Sequence, residues 1–431
     1  MNRIIVDRVT SQGLRAFVLA LAAAGLHGAS PARAAERKPN FLFVCTDDQR
    51  WDAMGVVQRE QGDRGRFPWF RTPNMDRLAA EGVRFRNAFV TLPLCAPSRA
   101  AFLTGRYNHL NGIANNHTPF PETSVTHARL LRAAGYKTAY IGKWHMDAQR
   151  GQRPGFDYSA SFIGQGRYMD CPFEINGTVT PTRGYVDDVS TDFAIEFMKK
   201  HRDAPFLLVV GFKATHGPFE PPERAKDRFT GAVARPVPNL KVRAIYRRDS
   251  AESRAATDAP SGRPSTNLSY FRCVSAADDN LGRLLRALDD LGLADDTVVV
   301  FTSDNGYYLG EHGLGDKRSA YEESLRIPLL VRYPRLFPKG QIRDELVLNI
   351  DLAPTFLELA GLAVPREIQG LSWVPLLTGK AAVWRKAFLA EYFFEAGFPA
   401  TPTVVAVRTG TAKLIRYPGH DEWTELFDLV N

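Results

Sequence analysis

Five short apolar segments stand out along the chain, and each is bounded by polar residues or turn formers. Their length and flanks predict buried strands at residues 41–45, 137–141, 206–212, 297–302 and 327–332. Apolar residues at helical spacing predict helices at residues 73–81, 125–134, 187–200 and 270–291. Strands that alternate with helices predict an α/β fold, in which helices cover both faces of a large, mainly parallel sheet.

The pattern changes near residue 380. Strand-like segments follow at residues 386–394, 404–408 and 413–417, and the last two are joined around Thr409-Gly410-Thr411. They predict a small antiparallel β subdomain at residues 381–431, after a main domain at residues 36–380. Residues 247–266 carry no large apolar side chain and predict a surface loop, for which an insertion is favoured over a lid.

The first 35 residues have the pattern of a secretory signal peptide. Arginines precede an apolar run from Ala16 to Leu26, and Ala32-Arg33-Ala34 has the small residues of a signal-peptidase site. A buried N-terminal helix is the less favoured alternative. No segment offers the 18 uninterrupted apolar residues of a membrane span. The protein is therefore expected to be exported, to the periplasm or the medium, without stable membrane insertion.

Composition narrows the class of protein further. Hydrophobic residues make up 44% of the chain, which excludes a disordered or fibrous protein. The net charge of +8 falls to +5 without the predicted leader, and no basic block with interleaved aromatics indicates a nucleic-acid partner. The four cysteines, Cys45, Cys95, Cys171 and Cys273, are too few to form a disulfide scaffold.

Four of the five predicted strands lead directly into polar or ionisable residues. Taken singly, each of these polar residues could be an ordinary loop charge or helix cap. Ligands bind beyond the carboxyl ends of parallel strands, however, so polar residues after four strands together predict a binding site. The residues are Asp47 and Asp48, Lys143 and His145, Lys213 and His216, and Asp304 and Asn305. The oxygen donors suit calcium or magnesium. Lys143, His145, His216 and Lys317 would surround an anion, as in phosphoryl or sulfuryl transfer.

Cys95 is the candidate nucleophile. No Gly-x-Ser-x-Gly motif marks a serine, and Cys45 lies within a predicted buried strand, where a thiol is inert. Pro97 and Ser98 can open a helix, which would place Cys95 at a positive helix N-terminus with Arg99 one turn further. A buried structural cysteine is the alternative.

Residues 39 to about 332 resemble the formylglycine-dependent sulfatases, which have the alkaline-phosphatase-like fold. The resemblance rests on Cys95-Ala96-Pro97-Ser98-Arg99 followed by Leu103-Thr104-Gly105-Arg106, and on Asp47-Asp48, Gly142-Lys143-Trp144-His145, Ser303-Asp304-Asn305-Gly306, Gly310-Glu311-His312-Gly313 and Asp316-Lys317. It identifies residues 36–380 as a catalytic sulfatase domain. Relatives of this kind continue beyond Asn431 through a turn into a last helix, so the C-terminal subdomain could be truncated.

The resemblance implies a definite chemistry. A maturation enzyme converts the cysteine, here Cys95, to Cα-formylglycine; one hydroxyl of its hydrate attacks sulfur, and the other ejects sulfate. Asp47, Asp48, Asp304, Asn305 and modified Cys95 would bind calcium, with magnesium the less favoured ion, and Asp304 would accept the proton of the attacking hydroxyl. Arg99 and His145 would orient the hydrate, Lys143 and Lys317 would clamp sulfate, and His216 would contact the substrate and protonate the leaving group.

The expected substrate is a sulfate ester, either an aryl sulfate or a sulfated carbohydrate. Arg153-Pro154-Gly155-Phe156-Asp157 and Gly164-Gln165-Gly166 resemble the bacterial branch related to N-acetylglucosamine-6-sulfatases. Lys213, His312 and Arg326 are weaker substrate-contact candidates, of which His312 is retained as substrate-binding. A phosphate diester or phosphonate monoester hydrolase and a non-catalytic glycan-binding protein with unmodified Cys95 are the alternatives. With Cys95 modified, Cys171 and Cys273 could form a disulfide, leaving Cys45 buried and free.

Overall fold

A computed structural model describes residues 38–247, 266–381 and 383–430. The predicted signal peptide and nearly all of the predicted loop at residues 247–266 therefore lie outside the described residues. Within the described part of the chain, no helix combines the length and the apolar character needed to cross a membrane.

A ten-stranded sheet forms the centre of the protein, in the order β11-β2-β10-β9-β1-β8-β4-β5-β6-β7. Strands β9, β1, β8 and β4 are neighbours and run parallel, whereas β10 is antiparallel to β9. The bounds are β1 Asn40–Thr46, β2 Val83–Phe85, β4 Lys137–Lys143, β5 Tyr158–Phe162, β6 Phe173–Ile175, β7 Thr178–Thr180, β8 Phe206–Gly211, β9 Thr297–Ser303, β10 Leu329–Arg332 and β11 Gln341–Arg343. A separate pair joins β3 (Ala88–Phe89) to β12 (Val347–Leu348).

Successive side chains of the central strands point to opposite faces of the sheet, and because most of them are apolar, each face carries a hydrophobic core. In β1, Phe41 and Phe43 pack in one apolar cluster, and Leu42 and Val44 pack in another. The helices that cover the two faces and their connections are α1 Gly55–Gln61, α2 Pro73–Glu81, α3 Cys95–Thr104, α4 Asn108–Asn111, α5 His127–Ala133, α6 Val186–Lys200, α7 Leu268–Asp290, α8 Glu322–Leu325, α9 Leu352–Leu359 and α10 Val374–Leu377. Both faces are therefore covered, and the predicted α/β fold class is confirmed.

The predicted strands and helices are present with small shifts at their ends. Strand β10 begins at Leu329 rather than residue 327, because Pro328 has no N–H to contribute to the ladder. The short strands β2, β5, β6, β7 and β11 were not predicted, since segments of this length at the edges of a sheet carry little periodicity.

The predicted C-terminal antiparallel sheet is confirmed. It consists of β13 (Ala387–Tyr392), β14 (Val404–Thr409), β15 (Ala412–Arg416) and β16 (Glu425–Asp428) in chain order. Val404 and Ala406 in β14 point into the core, and Val405 and Val407 point outward. The fourth strand, β16, was missed by the sequence pattern.

All four cysteines lie within the described residues and are buried free thiols. The suggested disulfide between Cys171 and Cys273 does not form. Cys273 lies in α7 beside the side chains of Tyr168 and Tyr185, whereas the Cys171 Sγ accepts from the backbone N–H of Arg167.

Candidate active site

The site is built where the parallel strands β9, β1, β8 and β4 end together. Asp47 and Asp48 follow β1, and Asp304 and Asn305 follow β9; all four side chains are buried. The Asp48 backbone N–H donates to Asp304 Oδ1 at 3.2 Å, and the Asp304 backbone N–H donates to the Thr46 carbonyl at 3.0 Å. The strand register thus places three carboxylates and one amide at one point of the sheet edge.

Each of the three carboxylates is paired with a different cation. Lys143 Nζ donates to Asp47. Lys317 Nζ donates to both oxygens of Asp48, at 2.7 and 2.8 Å. Arg99 donates from Nε to Asp304 Oδ2 at 2.8 Å, and its Nη1 donates to the Lys143 carbonyl at 2.7 Å. Buried ions need such partners, so the side chains hold one another in place.

Burial acts in the same direction on the two lysines, but their neighbouring charges shift their pKa values in opposite directions. Burial lowers the pKa of Lys143 well below its ordinary value, and the nearby ammonium groups of Lys213 and Lys317 act in the same direction. Burial also acts to lower the pKa of Lys317, but the Asp48 carboxylate outweighs it and raises that pKa. Lys317 is therefore a firmly held positive charge beside Asp48.

Cys95 is the first residue of α3 and is fully buried. Its Sγ lies 3.4 Å from Asp47 Oδ1. Burial raises the pKa of the Cys95 thiol to about 12, and the nearby carboxylates of Asp304 and Asp48 add to the effect. The positive charges of Lys317 and Arg99 act to lower this pKa but do not offset the rise, so an unmodified Cys95 is a protonated thiol at neutral pH and a poor nucleophile.

Two histidines reach the site from the ends of β4 and β8. His216 Nε2 lies 3.9 Å from Asp48 Oδ2, and Nδ1 lies 2.7 Å from the Gly217 carbonyl, so Nδ1 carries the proton that is donated there. Burial and the neighbouring lysines lower the pKa of His216 and of the buried His145. Both imidazoles are therefore neutral in this charge environment.

The loop after β8, which carries Lys213, is held by the buried carboxylate of Asp187. The sequence did not single out this residue. Asp187, in α6, accepts from the backbone N–H groups of Lys213 at 2.7 Å and Ala214 at 3.0 Å. Asp187 falls within a predicted helix, where an acidic residue in the first turn is ordinary, and no local signal distinguishes it. Two consecutive amides anchored on one carboxylate fix the path of the chain towards His216.

The comparisons with known proteins agree with this geometry. The sulfatase family matches residues 39–362, and the family described as N-sulphoglucosamine sulphohydrolase, C-terminal, matches residues 310–431. An N-acetylglucosamine-6-O-sulfatase of Bacteroides thetaiotaomicron is 33% identical, over 96% of this chain and 85% of its own.

The chain belongs to the sulfatase family. It is a sulfuric ester hydrolase, as the resemblance predicted.

Solved structures give the same fold. A protein in complex with its substrate D-glucosamine-2-N,6-O-disulfate superposes with a TM-score of 0.80 and 32% identity, covering 91% of both chains. A phosphonate monoester hydrolase from Silicibacter pomeroyi has a TM-score of 0.72 and 22% identity, covering 91% of this chain and 89% of its own, which shows a shared fold only.

The oxygen-rich end of the site fits a hard cation. Oxygen atoms of Asp47, Asp48 and Asp304 lie within 4.8 Å of one another. Asn305 Nδ2 donates to Asp48 Oδ1 at 2.6 Å and to the Gly306 carbonyl at 2.8 Å. Its Oδ1 is buried and has no hydrogen-bond partner among the described residues. Three carboxylates and an orphaned amide oxygen form a set of hard oxygen donors of the kind that calcium and magnesium take in proteins.

Two weaker candidates make their contacts elsewhere. His312 lines a cavity of about 700 Å³ to which none of the three site carboxylates contributes. There it stacks on Tyr321 at a ring distance of 3.9 Å, and its Nε2 lies 3.7 Å from Glu323. Arg326 stacks on Trp51 at 3.8 Å and donates to the Arg86 carbonyl at 2.6 Å. The structure therefore does not bring these two side chains to the paired carboxylates.

Proposed function

We propose that this sulfatase removes sulfate from a sulfated glycan of the N-acetylglucosamine-6-sulfate type, with Cys95 converted to formylglycine and calcium bound by Asp47, Asp48, Asp304 and Asn305. The observation that carries the proposal is the convergence of Cys95, three carboxylates and their three cations at one end of the parallel strands. The choice of substrate is supported by two of these relatives, the N-acetylglucosamine-6-O-sulfatase and the protein solved with D-glucosamine-2-N,6-O-disulfate as its substrate.

The modification explains how a buried cysteine can be the nucleophile. The thiol is protonated, with a pKa of about 12. A hydrated aldehyde at position 95 would carry two hydroxyls on one carbon. One hydroxyl would attack sulfur and the other would expel sulfate, a second step that a thiol cannot perform. A separate maturation enzyme must carry out the oxidation of the Cys95 side chain. Export through the predicted leader would bring the protein to the periplasm or the medium, where polymeric glycans are found.

The cations of the site have separate tasks in this proposal. When bound, calcium would neutralise charge on a sulfate oxygen and on the nucleophile. Lys143 and Lys317 would bind the other sulfate oxygens, and Arg99 would hold Asp304 in position to accept the proton of the attacking hydroxyl. The neutral imidazole of His145 would orient that hydroxyl.

The leaving alcohol of a sugar needs a proton, because its alkoxide is strongly basic. His216 is the candidate donor. Its Nδ1 is already committed to the Gly217 carbonyl, so Nε2, on the side facing Asp48, is the nitrogen that can exchange a proton with the substrate. The lowered pKa of His216 means that it must be protonated within the substrate complex, where a bound sulfate monoanion would favour the imidazolium.

Kinetics with the matured, calcium-loaded protein test the proposal. We expect hydrolysis of N-acetylglucosamine-6-sulfate and of an aryl sulfate, with release of inorganic sulfate. Aryl phosphate, phosphate diester and phosphonate monoester substrates are the comparison set. A hundredfold preference for any of them over the sulfate esters would contradict the proposal and favour the phosphonate monoester hydrolase alternative.

A further inference from the structure

The loop after β5 reaches the site through Gln165. Gly164 and Gly166 flank this residue and have φ angles of 57° and 60°, in the left-handed region that favours glycine. A Cβ on Gly166 would lie 2.5 Å from the ring of Phe162. The two glycines therefore set the local backbone path from which the Gln165 side chain projects.

Gln165 contacts two of the cations predicted from the sequence. Its side-chain Oε1 accepts from Lys143 Nζ, and its backbone carbonyl accepts from Lys213 Nζ at 3.0 Å. The same loop supplies Tyr168, whose ring lies 4.7 Å from Lys213 Nζ and whose hydroxyl donates to the His216 carbonyl at 2.7 Å. One residue thus joins a lysine at the end of β4 to a lysine beyond the end of β8.

The other half of the Gln165 amide remains available. The side chain is half-buried, and its Nε2 donates to none of the described residues. Because the amide is planar and Oε1 is fixed on Lys143, Nε2 is held close to the Lys143 ammonium. A neutral donor beside an ammonium group can add a directional hydrogen bond to an anion without increasing the charge of the pocket.

We propose that Gln165 is a substrate-binding residue that orients Lys143 through Oε1 and donates from Nε2 to an oxygen of the bound sulfate group. This inference rests on the proposed function. It adds an uncharged ligand from the loop after β5 to the two lysines, Lys143 at the end of β4 and Lys317, that would bind the sulfate group. Such a donor fixes the position of the sulfate, whereas the lysines supply most of the attraction.

Binding of inorganic sulfate measures this role without chemistry. The protein would be the full chain with calcium and with Cys95 left unmodified, and the method isothermal titration calorimetry. We expect Gln165→Ala to weaken sulfate binding about 10-fold, since a hydrogen bond to a charged group is stronger than one between neutral groups. Gln165→Glu keeps an acceptor for Lys143 but replaces the donor with a negative charge, so we expect a loss of about 30-fold or more.

Gln152→Glu is the matched control. It makes the same charge change in the segment before β5, where the Gln152 amide donates only to the backbone carbonyls of Phe156 and Asp157. Sulfate affinity should then stay within about twofold of the wild type. Thermal denaturation of every variant establishes that the fold is retained.

The outcomes separate the two proposals. Wild-type affinity in both Gln165 variants, loss in Gln165→Ala but not in Gln165→Glu, or no sulfate binding by the wild type would each overturn the role of Gln165 as a donor. If sulfate binding depends on Gln165 but the matured wild type hydrolyses no sulfate ester, the inference stands and the proposed function fails.

Discussion

Lys317 donates to both carboxylate oxygens of Asp48, at 2.7 and 2.8 Å, and both side chains are buried. Burial raises the pKa of Asp48, and the Lys317 ammonium opposes that rise. The same carboxylate belongs to the cluster of Asp47, Asp48 and Asp304 oxygens that could hold a metal ion. Asp48 would therefore interact with a metal ion and with an ammonium group, so the stability of the site should depend on both.

Lys317→Met should make this protein depend on calcium for stability. Removing one partner of a buried ion pair costs about 3–5 kcal/mol of the free energy of unfolding, because the other charge is left uncompensated. Bound calcium would give Asp48 a new partner and recover part of the loss. Denaturant unfolding with calcium and with a chelator measures both values, and we expect the stabilisation by calcium to be larger in Lys317→Met than in the wild type.

Lys413→Met is the control for that experiment. Lys413 lies in β15 of the C-terminal sheet, is buried and pairs at 3.2 Å with Glu322, which is not one of the three carboxylates of the oxygen cluster. The variant should lose stability, but calcium should stabilise it by no more than it stabilises the wild type. If calcium raised the free energy of unfolding by the same amount in all three proteins, the prediction would be wrong.

Cys95→Ala should abolish turnover while leaving the fold intact. The Cys95 side chain is small and its contact with Asp47 is at 3.4 Å, so we expect the free energy of unfolding to change by less than about 2 kcal/mol. Mass spectrometry of the wild-type peptide, expressed with a competent maturation system, should show formylglycine at position 95. Cys45→Ala is the control, because within the described part of the chain the Cys45 Sγ hydrogen-bonds only to the neighbouring Thr46 carbonyl. This variant should retain formylglycine at position 95 and full activity. Intact thiol alone at position 95, or activity in Cys95→Ala, would refute the nucleophile assignment.

The sequence predicts the parts of this site that come directly after long buried strands. Asp47 and Asp304 follow seven-residue strands whose apolar pattern is unambiguous, and parallel pairing then forces their side chains together. Gln165 follows a strand of five residues near the sheet edge and sits between glycines in a loop, where no periodicity locates it. His312 belongs to a recognisable motif, and the structure places it at a backbone φ of 56° in the wall of the cavity of about 700 Å³, so its role in substrate binding stays a prediction.

Asp187→Asn should lower the activity of protein that is still fully folded. The Asp187 carboxylate uses both oxygens to accept from the backbone N–H groups of Lys213 and Ala214, and an asparagine offers only one acceptor there. The loop that carries His216 would then be less firmly fixed. Loss of a residue that holds a site residue in place typically costs about 10–100-fold in activity. We expect the loss mainly in kcat, because protonation of the leaving group by His216 is the affected step.

Asp192→Asn is the matched control for Asp187. Asp192 lies in the same helix, α6, is exposed, and among the described residues forms an ion pair only with Arg283. Its kcat should equal that of the wild type. Aryl sulfates with good leaving groups need less acid assistance, so Asp187→Asn should lose less activity on them than on the sugar sulfate; equal losses on both would argue against a role through His216.

His127 should make the protein sensitive to acid. The residue is fully buried at the start of α5, where its Nδ1 donates to the Leu103 carbonyl at 3.1 Å, and burial lowers its pKa to about 4. Between pH 6.5 and 4 the unfolded chain binds a proton at this residue that the folded chain does not. The contribution to stability is therefore complete above pH 6.5 and is lost as the pH falls towards 4, up to about 3 kcal/mol.

His127→Gln can keep a donor for the Leu103 carbonyl and cannot titrate. Its free energy of unfolding, measured in denaturant at steps from pH 7 to 4.5, should therefore fall less steeply than that of the wild type. Parallel curves for the two proteins would show that His127 is not the acid-sensitive group.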